Sequence, residues 1–137
     1  MAKFVLTNAS FKINGVDLSD HVREITIDAQ VKDIDDTTMG ATGMGHLAGL
    51  RDEKVTVKWA QDFAAAKVDA TLWPIYIAGA DVAASVWANG TTSSSTNPSY
   101  SGNLLLQSYQ PLAGQVGVLA ESQTTFMVDG VLTRATV

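Results

Sequence analysis

The sequence predicts an antiparallel β-sandwich or partial barrel with one short flanking α-helix and a long hairpin loop. Three observations point there. Most segments alternate apolar and polar residues with a period of two. One segment alone changes to the three-to-four spacing of a helix. Turn-forming pairs and clusters separate the segments, beginning with Asn14-Gly15. Six to eight strands and one helix of this kind bury a core by packing sheet on sheet with the helix alongside. The 137 residues suit a single domain with a real core, and residues 1–137 are read as one.

The elements follow in order. Residues 10–14, SFKIN, place Phe11 and Ile13 on one face before the Asn14-Gly15 turn. Residues 22–31, VREITIDAQV, place Ile25, Ile27, Ala29 and Val31 on one face and Glu24, Thr26, Asp28 and Gln30 on the other. Residues 53–59, EKVTVKW, bury Val55, Val57 and Trp59. These two strands flank a glycine-rich stretch and form a long hairpin with an oversized connection at about 35–50. In residues 64–78, Asp69 is expected to cap a helix whose apolar face is Leu72, Trp73, Tyr76 and Ile77, with Pro74 about one turn in. Trp59 and Trp73 are both expected to be buried. Residues 82–88 form a further strand, and 89–99, NGTTSSSTNPS, a surface loop without core residues. Residues 100–109 and 117–129 are strands joined by PLAGQ, and the tail VLTRATV adds a short last one.

Composition excludes several functions. Hydrophobic residues make up 46%, so the chain is not of the disordered type. No apolar run approaches the length of a membrane span, and MAKFVLTNAS lacks the apolar stretch of a signal peptide. The absence of cysteine removes disulfide and thiolate chemistry. A formal net charge of −5 makes generic nucleic-acid binding unfavourable, since phosphates repel it. Half of the carboxylates lie between Asp17 and Asp36, either as a solvated edge strand with its turns or as a deliberate negative surface.

No catalytic pattern emerges. His21 and His46 stand 25 residues apart, and neither has a metal-ligand spacing; His46 with Asp35 and Asp36 is a weak candidate at best. No serine lies in a nucleophile elbow. Asp35-Asp36 and Asp52-Glu53 are sequence neighbours, so in strands they point to opposite faces and do not form a hydrolytic pair. Gly43, Gly45 and Gly49 are spaced one residue too long for a dinucleotide fingerprint, and a strand follows them instead of a helix. No cofactor and no metal are expected. The stretch reads better as a binding loop. Met39, Met44 and Leu47 are apolar without a core of their own, and Gly40, Gly43, Gly45 and Gly49 loosen the backbone around them and His46.

Three longer stretches then carry a resemblance. NASFKINGVDLSDHVREITID, WAQDFAAAKVDATLWPIY from Trp59 to Tyr76, and NPSYSGNLLLQSYQPLAGQVGVLAESQTTFMVDGVLTRAT resemble, in order and nearly end to end, the major tail tube proteins of long-tailed bacteriophages. The two loops, 35–49 and 89–99, depart from the family. The resemblance implies a non-enzymatic virion protein whose copies form rings, usually of six, stacked into a hollow tube through which genomic DNA passes. It implies further partners in the tape measure, the tail terminator and the distal tail protein, no membrane contact, and assembly in the host cytoplasm. Met39, Gly40, Gly43, Met44, Gly45, His46, Leu47 and Gly49 are then the expected assembly loop, mobile in the monomer and fixed in the tube. Glu24, Asp28 and, more weakly, Glu121 are the candidate channel-facing acids. The competing reading is a non-enzymatic β-sandwich binding carbohydrate or cell surface through Trp87, Tyr100 or Tyr109; an acidic-residue hydrolase is a third.

Overall fold

The computed structural model describes Lys3 and residues 5–137. Seven strands form one antiparallel sheet: β1 (Ser10–Ile13), β2 (Val16–Asp17), β3 (Val22–Asp35), β4 (His46–Ala60), β5 (Val82–Trp87), β6 (Ser99–Tyr109) and β7 (Glu121–Ala135), in the order β2-β1-β5-β6-β7-β4-β3. The sheet rolls over itself. Phe11 of β1 meets Trp59 of β4 edge-to-face at 5.2 Å and stacks on Phe126 of β7 at 5.8 Å, although these strands are not neighbours in the order. This is the sandwich or partial barrel the alternation predicts, with one helix, α1 (Val68–Ala78), beside it.

Local chemistry sets the turns. Asn14 and Gly15 both take positive φ, 51° and 81°, as a two-residue hairpin requires to match strand twist. Val55, Val57 and Trp59 are fully buried, as their alternation predicts, and pair across the sheet with Phe126, Thr124 and Ser122. The Trp59 indole N–H donates to Thr124 Oγ1 at 2.9 Å, so the largest core side chain also has its polar atom satisfied.

The helix departs from expectation. It starts at Val68 with Lys67 at the cap position, so Asp69 lies within the first turn and caps nothing; its carboxylate accepts from the Tyr109 hydroxyl at 2.9 Å. Burial raises the Tyr109 hydroxyl to about 12, with the hydrogen bond and charge of Asp69 adding to it against the Gln61 amide. Pro74 is the seventh of 11 residues, an interior position, and not near the start. The buried face is Val68, Leu72 and Ile75, while Trp73, Tyr76 and Ile77 are exposed. The helix is apolar almost all round, so periodicity alone could not choose its inner face.

Four further boundaries move. The 35–50 connection is shorter than expected, because β3 runs to Asp35 and β4 begins at His46, leaving ten residues between them. Ser99 begins β6 and is buried. Residues 117–120 are loop, not strand, so the β6–β7 connection spans 110–120. The tail is no separate strand; it continues β7 past an irregularity at Gly130, whose φ is 96°.

Beyond the core, one charged group is buried among the described residues. Glu53 is 3% exposed; its carboxylate accepts from Arg51 at 3.0 Å and from the Leu132 backbone N–H at 3.1 Å, where β7 has parted from β4. Glu53→Ala leaves Arg51 and the Leu132 N–H without this acceptor. Arg51 is half exposed, which softens the loss. The expected cost is about 2 kcal/mol, read as a fall in melting temperature of roughly 5–10 °C; Glu53→Gln should lose less, since it keeps an acceptor for Leu132.

Candidate assembly surfaces

The β3–β4 hairpin projects past the rest of the sheet. β4 pairs with β7 only from Lys54 to Ala60, whereas its pairing with β3 continues from Trp59 down to His46. Residues 32–50 are therefore a two-stranded arm. A bulge sits at its root: Val31 pairs with Arg51 and Asp33 with Ala48, so β4 carries one extra residue opposite Lys32. Gly49 lies at that bulge, and a Cβ there would stand 2.9 Å from the Lys32 carbonyl oxygen. The extra residue reverses the parity of β4 beyond it. Leu47 pairs with Ile34 on the face opposite to that of Val55 and Val57.

The structure divides the expected assembly loop into two parts. His46, Leu47 and Gly49 belong to β4, and Met39, Gly40, Gly43, Met44 and Gly45 to the tip. The tip is organised by its own hydrogen bonds. Gly45 N–H donates to Thr37 Oγ1 at 2.8 Å, Thr37 N–H to Asp35 at 2.9 Å, and Asp36 N–H to the Gly45 carbonyl at 3.1 Å. The Thr37 hydroxyl, and after it the Thr37 N–H, hold the Asp35 carboxyl below the usual carboxylate range. His46 bonds Asp33 at 2.9 Å, not Asp35 or Asp36. Ile34, Met39, Met44, Leu47 and Leu50 are all exposed, Met39 completely. Ala29 and Val31, expected on the core face, lie where β3 overhangs the core and are exposed too.

Glu24, Asp28 and Glu121 do share one face, the polar side of the sheet, but each has a cation beside it. Lys58 stands 3.7 Å from Glu24, Lys54 pairs directly across from Asp28, and Arg23 donates to Glu121 at 2.7 Å. The face mixes both signs, which the spacing of the acids within β3 could not reveal. The far edge of β3 has no strand partner among the described residues, leaving a 14-residue border of backbone donors and acceptors.

At the opposite end lies the 110–120 loop, where the sequence predicts a simple turn and a strand start. Its base is pinned: Gln61 Nε2 donates to the Pro111 carbonyl at 2.6 Å, and Gln61 N–H to the Ala120 carbonyl at 3.0 Å. Its apolar side chains, Leu112, Val116, Val118 and Leu119, remain exposed. Their excess without polar alternation was the available signal.

His21 is largely enclosed, with Nδ1 2.7 Å from Asp20 and Nε2 2.8 Å from Asp62, joining the start of β3 to the segment after β4. Burial pulls the imidazole down, and the hydrogen bonds and charges of Asp62 and Asp20 outweigh it, so its value is raised above 6.5. A raised value means stabilisation that is complete below the ordinary value and lost as pH rises through the folded one. The Ala64 N–H, and then His21, lower Asp62, whose contribution is present above 3.8 and lost as pH falls through the lowered value. The melting-temperature deficit of His21→Gln should therefore shrink as pH is raised from about 6 to about 9. A deficit constant across that range would remove the clamp from the account.

One groove of about 360 Å³ lies between α1 and the β1–β2 hairpin, among Val16, Pro74 and Ile75, and has no titratable side chain in its lining. Among the described residues no three His, Asp or Glu side chains are grouped to hold a metal. The aromatics proposed for a glycan site are half-buried; Trp87 donates to Ser93 at 2.9 Å, and Tyr109 is tied to Asp69.

No protein-family model matches the chain, and no curated protein does. Solved structures do. A chain in the tail of an empty gene transfer agent particle, refined with C6 symmetry, superposes with TM-score 0.66 over 82% of this chain and 81% of its own at 16% identity. The SPP1 tail tube gives 0.73 over 95% and 77% at 9% identity. A chain of the sheath-tube complex of an extracellular contractile injection system gives 0.69 over 98% and 93%, also at 9%. The chain has the tail-tube fold. In that fold the arm and the 110–120 loop expose apolar side chains, and β3 exposes a strand edge.

Proposed function

We propose that the protein is the subunit of a phage tail tube, a structural, non-enzymatic component of the virion. Copies join into rings, six to a ring, and rings stack into a hollow tube that carries DNA as transient cargo. The tape measure, tail terminator and distal tail protein are its further partners, and assembly takes place in the host cytoplasm. The observation that carries this reading is the unpaired 14-residue edge of β3 in a chain of tail-tube fold. In a closed ring that edge becomes a bond to the next subunit, whereas stacking along the axis stays open-ended.

The arm is the stacking element, with Met39, Met44 and Leu47 at its apolar end. Glu24, Asp28 and Glu121 face the channel in company with Lys54, Lys58 and Arg23. Such a mixed-sign lining, on a chain of net charge −5, holds DNA weakly and lets it slide.

Negative-stain microscopy of the purified protein, with a sizing column alongside, tests the proposal. Rings or tubes of uniform diameter are the expected result. A strict monomer at every concentration, above all one that binds glycans on an array, would overturn it.

A further inference from the structure

Among the described residues, two groups of exposed apolar side chains lie at the two ends of the sheet, and a third, Trp73, Tyr76 and Ile77, lies on α1. Ile34, Met39, Met44, Leu47 and Leu50 are on the arm; Leu112, Val116, Val118 and Leu119 are on the 110–120 loop. The arm includes the first residues of β4, His46 to Leu50, and the loop precedes the start of β7, which pairs with the end of β4 through Ala60 and Glu121. The rest of β4, Arg51 to Ala60, holds the arm's root about 33 Å of extended chain from the loop, and its tip stands about 50 Å away. An arm cannot fold back onto its own loop, because it is built on the same strand that holds the loop away.

We infer that the 110–120 loop is the receptor for the arm of another copy, one ring along the axis. The inference rests on the tail-tube-subunit reading and names the contact that stacks the rings. The two surfaces differ and lie at opposite ends, so their union is head-to-tail and repeats without closing.

Area favours this occupant, and charge does not oppose it. Fully burying an aliphatic side chain is worth roughly 1.5–3 kcal/mol, or about 60–120 Å² at 25 cal/mol per Å². Five side chains from the arm and four from the loop then bury roughly 500–1,100 Å², against about 1,200–2,000 Å² in a stable interface. The apolar groups alone supply a large part of the requirement before any backbone or polar contact is counted. The arm bears Asp33, Asp35 and Asp36, so an acidic receptor would repel it; Pro111 to Ala120 contains no ionisable side chain. The pinned base of the loop holds its apolar residues outward before contact, which lowers the ordering cost of binding.

The absence of cysteine makes the test direct. Tubes of the double variant Met44→Cys/Val116→Cys, oxidised and run on a non-reducing gel, should give a ladder of linked multimers. Either single variant should give none beyond dimers. Normal tubes without a ladder, together with a ladder from Met44→Cys paired with Ile77→Cys, would place the receptor on the helix and overturn the inference while leaving the tube intact. Should the double variant fail to assemble, Val116→Asp decides alone: it blocks tubes if the loop is the receptor, and normal tubes refute it. An unaltered chain that never forms tubes overturns the subunit reading itself.

Discussion

The variant carrying Met39→Ser, Met44→Ser and Leu47→Ser is expected to remain a folded monomer and to form no tubes. All three side chains are exposed in the single copy, at 103%, 67% and 54%, so their loss opens no cavity. The buried hydrophobic residues that form the core among the described residues, from Phe11 to Leu132, are untouched. In the tube each side chain would lose roughly 1.5–3 kcal/mol of burial. Three losses per contact, at least about 4.5 kcal/mol together, raise the critical concentration for assembly by about a thousandfold or more. Far-ultraviolet circular dichroism and thermal melting should match the unaltered chain, while sedimentation shows no polymer. Tubes that form at ordinary concentration would remove the arm from assembly. The proposed stacking receptor would fall with it.

Trp59→Ala is expected to show the largest loss of stability. Trp59 is fully buried, sets its ring edge-to-face against Phe11, and fixes Thr124 through its indole N–H. Truncation removes the contact that draws β1 over β4 and leaves the Thr124 hydroxyl short of a donor. Large aromatic-to-alanine changes in cores cost about 3–5 kcal/mol, and the additional aromatic pair places this site at the upper end. For a domain of this size the melting temperature should fall by roughly 10–20 °C. A fall of only a few degrees would mean that the rolled sheet is held together elsewhere. Trp59→Phe retains the aromatic contact and should lose markedly less.

The two variants separate folding from assembly. One changes the finished surface without touching the core; the other weakens the core and reaches assembly only through the unfolded fraction. The first leaves the melt intact and abolishes polymer. The second shifts the melt, with polymer recovering at low temperature.

The amino-acid sequence by itself determined the strands whose alternation is enforced by burial. Val55, Val57 and Trp59 point inward because a one-residue slip would send all three to solvent, and Asn14-Gly15 turns because few other pairs tolerate two positive φ angles. It also separated the acidic face of β3 from its apolar face, and it placed the unclaimed methionines in the β3–β4 connection. Only the tertiary structure decided which side of α1 is buried, since a helix apolar on nearly every side carries no preferred face, and Trp73 proved exposed. It alone brought Lys58, Lys54 and Arg23 beside the acids, enclosed His21 between Asp20 and Asp62, and set the arm and the 110–120 loop at opposite ends of one strand. Periodicity reports the forces between a residue and its neighbours along the chain. Ion pairs and sheet edges depend on which distant strand arrives alongside, and that is fixed only when the sheet closes over its core.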